Sequence, residues 1–236
     1  MSKKTLVVMG NGPSLRKIDL QLLNNFDTFA LNASYRAFEK FNWWPTYHGC
    51  FDYVMNDSHR ENFTALIEND NPIKKLFYLR NFSNSSKFQL IKLLPFGSSD
   101  KWNTSVADFD SLNDGGNSGI NACQIGICMG YEKIILVGVD CNYVEMVPGV
   151  SVVSGAKLKV TSKIENNPNY WFDEYQQVGD IFNAPQEKQF HFGPWNKFAM
   201  RAFENDIEVV NCSEGSKLKC FKMSTIEKEL EKLNEE

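Results

Sequence analysis

Seven polar side chains stand where apolar runs of this sequence stop: Asn11, Asn32, Asp52, Ser118, Asp140, Asn142 and Asn211. Short amides, hydroxyls and carboxylates at such positions either cap helices and bond turns or converge on one rim as a ligand site. Two glycine-bearing stretches lie among them, Gly10-Asn11-Gly12-Pro13-Ser14-Leu15 and Gly115-Gly116-Asn117-Ser118-Gly119. Glycine permits close backbone approach, and the N–H groups of a helix start can hold an anion. Pro13 suits the first helical position and Ser14 can cap it. The first stretch is neither G-x-G-x-x-G nor a Walker loop, so its spacing alone fits a structural turn as well as a ligand-binding one. With the second stretch and the other rim residues it favours a nucleotide or phosphate site.

Three histidines are available for proton transfer. His48 lies inside a strand pattern and reads as structural; His59 opens a polar helix and reads as solvated. His191, between Phe190 and Phe192 and just before Gly193-Pro194, is the general-base candidate, with a packed histidine at a helix entry as the alternative. No H-x-x-x-H or Cys/His spacing builds a metal site, although Asp52 or Asp140 could touch a nucleotide-held Mg²⁺. The absence of G-x-S-x-G argues against a serine hydrolase. Six cysteines without C-x-x-C spacing read as reduced thiols of a cytoplasmic protein.

The elements that must position these residues follow from the apolar runs. Leu6–Met9, Asp27–Asn32, Tyr47–Tyr53, Lys75–Arg80, Lys133–Asp140 and Ile207–Cys212 read as strands, the fifth as the most deeply buried. Helical spacing is expected near Tyr35–Phe41 and over 58–68, 120–129, 196–205 and 224–236. The pattern implies an α/β fold: a Rossmann-like, mostly parallel sheet with helices on both faces. Ligands in such sheets bind beyond the carboxyl ends of the strands. Residues 81–113 and 144–189 carry little pattern; the first reads as a surface excursion and the second as an irregular lid.

At 236 residues the chain suits one such domain, and 42% hydrophobic with 23% charged residues is ordinary for a globular protein. A formal charge of −4 argues against a nucleic-acid partner. The first strand begins almost at once after Met1-Ser2-Lys3-Lys4, and no apolar run is long enough to span a membrane.

The opening Gly10–Leu15, the block Asn117-Ser118-Gly119, and Gly130 through Asp140 resemble the nucleotide-binding blocks of the bacterial family 42 sialyltransferases. With Asn142-Tyr143, a late His-Phe pair and the closing Asn211–Leu218, they also resemble a wider group of 6-hydroxymethylpterin diphosphokinase-like proteins of surface-glycan gene clusters. The resemblance covers roughly residues 5–60 and 113–220. It implies that Gly10, Asn11, Gly12 and Ser14 approach the nucleotide and its phosphate, and that Asn32 faces the donor sugar or the phosphate. Ser118 and Gly119 would hold the donor's carboxylate or phosphate, Gly138 and Asp140 would line the cytidine pocket, and Asn117 and Asn142 belong to the same nucleotide- and donor-binding set. His191 would deprotonate an acceptor hydroxyl. Tyr143 would help the CMP phosphate depart, with Tyr170 or Tyr175 as its companion. The activity implied is a metal-independent glycosyltransferase, cofactor-free, moving an acidic sugar from a CMP-activated donor to a glycan acceptor. Its alternatives are Mg²⁺-dependent pyrophosphoryl transfer from ATP and a non-catalytic nucleotide-binding protein. The expected location is cytoplasmic, with peripheral membrane association and homo-oligomerisation left open.

Overall fold

The computed structural model describes residues 3–144, 146–184 and 191–235. In chain order, β1 (Thr5–Met9), β2 (Asp27–Leu31) and β3 (Tyr47–Cys50) are followed by helices α1 (Tyr53–Ser58) and α2 (Arg60–Glu68). Then come β4 (Lys75–Tyr78), β5 (Phe88–Leu90), β6 (Leu93–Leu94), β7 (Leu112–Asn113), α3 (Ser118–Cys128) and β8 (Lys133–Val137). The chain continues through β9 (Val150–Ser154), β10 (Lys157–Val160), β11 (Ile181–Asn183), α4 (Gly193–Glu204), β12 (Glu208–Asn211), β13 (Lys222–Met223) and α5 (Ile226–Glu235).

Eight strands form one sheet in the order β13-β12-β8-β1-β2-β3-β4-β5, and every pairing in it is parallel. β1 and β8 lie side by side in its interior, where the wholly apolar and mostly β-branched runs Val7-Val8 and Ile134–Val137 are sealed from water on both faces. Alternation sorts their side chains into two layers. Leu6, Val8, Ile134 and Leu136 meet α3 and α4; Val7, Met9, Ile135 and Val137 meet α2, α5 and residues of 144–184. Helices therefore cover both faces, as the sequence pattern implies. The small residues of α3 let it lie close to the sheet: a Cβ at Gly126 would stand 2.5 Å from Leu6 Cδ2. The sheet edges are short, three residues in β5 and two in β13, which limits edge-to-edge pairing.

Several boundaries differ from the sequence expectation. The segment after β1 folds as two 3₁₀ stretches, Pro13–Lys17 and Leu20–Asn25, and Asn32–Ala37 is a third. Residues 81–113 contain β5, which extends the main sheet, and the small β6–β7 pair. Most informative is the expected irregular lid at 144–189, of which residues 145 and 185–189 lie outside the described residues. Here β9, β10 and β11 form an ordered antiparallel sheet whose Val150, Leu158, Val160 and Phe182 join Trp171, Phe172 and Tyr175 in the main core. Among the described residues, no helix is long and apolar enough to cross a membrane.

Candidate active site

The strand order reverses between β1 and β8, because the chain runs outward from β1 through β5 and then returns to β1's other side. At such a switch point the connections leave in opposite directions and open a crevice beyond the strand ends. A cleft of about 610 Å³ lies there. It is lined by Gly10, Asn11 and Gly12 after β1, Asn32 after β2, and Asn117, Ser118 and Gly119 at the start of α3. Gly138, Asp140, Asn142 and Tyr143 after β8, and His191 before α4, complete the residues anticipated from the sequence.

Ser14 is the exception. It is buried inside the first 3₁₀ stretch rather than at its cap, which is Gly12, and its N–H donates to Asp140 Oδ2 at 3.3 Å. The neighbouring donors are engaged too: Gly10 N–H meets Val137 O at 2.7 Å and Gly12 N–H meets Gly138 O at 2.8 Å. The two glycine turns approach so closely that a Cβ at Gly10 would stand 2.2 Å from Gly138 O. The expected backbone anion cradle after β1 is therefore corrected: these three N–H groups tie β1 to β8 and to Asp140. Burial raises the Asp140 carboxyl above its ordinary 3.8, with Ser14 pulling in the other direction.

An anion finds better provision at α3. This eleven-residue helix is capped by Asn117, whose Oδ1 accepts Ile120 N–H at 3.0 Å. Its first-turn N–H groups point away from the helix body and carry the positive end of its dipole. Ser118 Oγ donates to Asn32 Oδ1 at 3.2 Å, joining the α3 start to the end of β2. Asn32 itself turns the chain at φ +59°, a conformation asparagine tolerates. Asn11 is held from two sides, Nδ2 donating to Leu31 O and the backbone carbonyl accepting Trp171 N–H, while Oδ1 is buried without a hydrogen bond among the described residues.

Residues 144–184 supply the remaining wall. Tyr143, Tyr170 and Tyr175 gather there, with Tyr170 and Tyr175 stacked at 3.9 Å and Tyr143 edge-on to Tyr170 at 6.3 Å. Burial pushes the phenols of Tyr170 and Tyr175 well above their usual pKa, so both stay O–H donors. Asn169, Gln176, Asp180 and Asn183 also line the cleft and were not singled out from the sequence. Their only signal was the Asn- and Tyr-rich composition of 166–183, which carries no periodicity to register it.

This wall is fastened to the sheet domain by polar contacts. Arg16 donates to the carbonyls of Asn167, Tyr170 and Trp171. The Arg36 guanidinium grips Asp180 with two bonds of 2.5 and 2.9 Å, and both side chains are largely buried. Asp52, a rim residue that the sequence offered as a possible Mg²⁺ contact, caps α1 through Val54 N–H and accepts from Asn183 Nδ2. Asn56 and Asn211 are fully buried and bond neighbouring backbone, so both brace turns.

The histidines separate by environment. His48 is structural, as expected: it bridges Tyr78 OH and Asn32 O, and burial pushes its pKa down to about 3. His59 is not solvated; it is 1% exposed, 3.0 Å from Tyr35 OH and 3.8 Å from Asp180, and burial lowers its pKa. The polar helix pattern hid this because His59 sits at the α1–α2 junction, facing inward. His191 lines the cleft with Nδ1 3.9 Å from Cys141 Sγ.

Among the described residues lining the cleft there is no lysine or arginine, while four aspartates are present, Asp52, Asp114, Asp140 and Asp180. No group of three or more His, Cys, Asp or Glu among the described residues is placed to hold a metal ion. The donors that face the cleft are neutral amides, hydroxyls and a helix N-terminus. Such a set can hold one or two negative charges without a counter-cation.

The fold has parallels among solved structures. The chain is similar to the sialyltransferase CstII from Campylobacter jejuni, solved in complex with cytidine-5'-monophosphate, with a TM-score of 0.51 and 18% identity over 96% of this chain and 87% of that one. It is also similar to the MAf glycosyltransferase from Magnetospirillum magneticum AMB-1, with a TM-score of 0.50 and 13% identity. That match takes in 99% of this chain but only 37% of the larger protein. At these identities the likeness is one of fold. No curated protein matches the sequence. The family model described as 6-hydroxymethylpterin diphosphokinase MptE-like matches residues 1–146, more than half of the chain, and this protein therefore belongs to the MptE-like family.

Proposed function

We propose that this protein is a metal-independent glycosyltransferase that moves an acidic sugar, sialic acid or a similar one, from a CMP-activated donor to a glycan hydroxyl. The observation that carries the reading is the character of the cleft. Asn11, Asn32, Ser118 and the α3 start line it together with three clustered tyrosines, and its described lining holds no lysine or arginine. A CMP-sugar brings one phosphodiester charge and one carboxylate, which this set can accommodate. His191 takes the proton of the acceptor hydroxyl as its oxygen bonds to the anomeric carbon. The bond from that carbon to the phosphate oxygen breaks, and CMP leaves with the electron pair. Phenols held protonated by burial then donate to the phosphate as its charge grows. The wall at 144–184 keeps water from competing with the acceptor. A cytoplasmic site of action, with peripheral attachment to the membrane, accompanies this reading.

Pyrophosphoryl transfer from ATP is the second reading, favoured by the family's description and by the four aspartates of the cleft. Triphosphate chemistry calls for Mg²⁺ on carboxylates and cations on the phosphates. Thermal-shift titration with CMP, CDP, ATP and GTP, each with and without Mg²⁺, separates the two. Stabilisation by CMP in EDTA is the expected result. Mg²⁺-dependent stabilisation by ATP alone would replace the first reading with the second.

A further inference from the structure

Five non-glycine residues among those described have positive φ: Asn32, Asn42, Cys141, Asn166 and Asp206. Four are Asn or Asp, whose side chains bond the local backbone and make the left-handed region tolerable. Cys141, at φ +51°, is neither, and glycine or asparagine would take this backbone at lower cost. Strain of this kind persists where surrounding structure enforces it, and it collects at functional sites. Cys141 lies directly after Asp140 in the cleft lining and is 8% exposed. Its Sγ stands 3.9 Å from Nδ1 of His191, fifty residues later in the chain.

We propose that Cys141 is a positioning residue for His191, its sulfur accepting the Nδ1–H of the imidazole. The role rests on the reading of His191 as general base. An imidazole acts through one nitrogen, and a partner on the other decides which tautomer is present and how the ring is turned. With the proton on Nδ1 pointed at sulfur, the lone pair of the ring is on Nε2, the nitrogen that takes the acceptor proton. After transfer the ring is an imidazolium that still donates from Nδ1, and the proton count is unchanged. Carboxylates commonly orient catalytic histidines. Here a sulfur takes that place, in a cleft that already holds four aspartates.

Ring ¹⁵N shifts of His191 in the full chain, in the neutral form, report the tautomer without any turnover. The signal is assigned by its loss in His191→Ala. Wild type is expected to carry its proton on Nδ1. Cys141→Gly takes the same backbone freely and keeps the fold, and should move the proton to Nε2. With CMP-sialic acid as donor it should lower kcat about ten-fold, with KM changed by less than about two-fold. Cys141→Ser, which restores an acceptor, should return the Nδ1–H form. A wild-type ring protonated on Nε2, or a tautomer and kcat indifferent to Cys141→Gly, overturns the proposal. A tautomer that follows Cys141 supports the positioning even where His191→Ala transfers normally, an outcome that removes only the general-base reading.

Discussion

A methyl group at position 12 would stand 1.7 Å from Asp140 Oδ2 and 2.8 Å from the Gly138 carbonyl. Neither neighbour can withdraw easily, since Asp140 accepts Ser14 N–H and the Gly138 carbonyl accepts Gly12 N–H. Gly12→Ala should therefore destabilise the protein by roughly 1–3 kcal/mol, the usual cost of overpacking. A lowered denaturant midpoint with unchanged slope is the expected sign, and an unchanged midpoint would contradict the close approach of the two turns. His191→Ala should behave differently, keeping CMP-induced thermal stabilisation while losing transfer. Turnover at the wild-type rate in that variant would remove His191 from the mechanism. Most cleft residues before Tyr143 were legible in the sequence because each ends an unmistakable apolar run or starts the small-residue helix after Asn117. Ser14 was misplaced because a cap and a first-turn residue look alike until the 3₁₀ geometry is known.

Among the elements, the wall at 144–184 and the terminal helix are held by different chemistry. The Arg36–Asp180 pair is largely buried, so Asp180→Asn leaves a guanidinium without its counter-charge and should cost roughly 3 kcal/mol. The loss should appear as faster proteolytic cleavage within 144–184 while amide protection of β1 and β8 is retained; equal loss in both would mean the wall and sheet unfold as one unit. Helix α5 is pinned by Glu229, which bonds Lys133, Lys232 and Ser224. Burial alone would raise the Glu229 pKa, but these partners outweigh it and bring it down to about 2 from 4.5. A depressed carboxyl stabilises the fold above its unfolded pKa and ceases to as pH falls through the folded one. Acid should thus release α5 between about pH 4.5 and pH 2, and Glu229→Gln should flatten that part of the stability profile. Helix α5 was readable from Ile226, Leu230 and Leu233 at helical spacing. The β9–β11 sheet was not, because Val152 and Val153 are adjacent and both exposed, which breaks the alternation that betrays a strand. β5 and β7 are simply too short to signal themselves.

For the molecule as a whole, the family match ends at residue 146, and the strand order shows what such a boundary would cut. Residues 1–146 include β1 through β8 but neither β12, which pairs with β8, nor Tyr170, Tyr175 and His191 of the cleft. Severed there, the most apolar strand of the chain, Lys133–Val137, would become a bare outer edge with a full row of unpaired backbone donors and acceptors. Such a fragment should self-associate on expression, by light scattering, while the entire chain stays dispersed; a monomeric, folded 1–146 would show that β8 does not need its outer neighbour. The segment by which the family is recognised thus leaves out β12, the strand that covers the outer edge of β8.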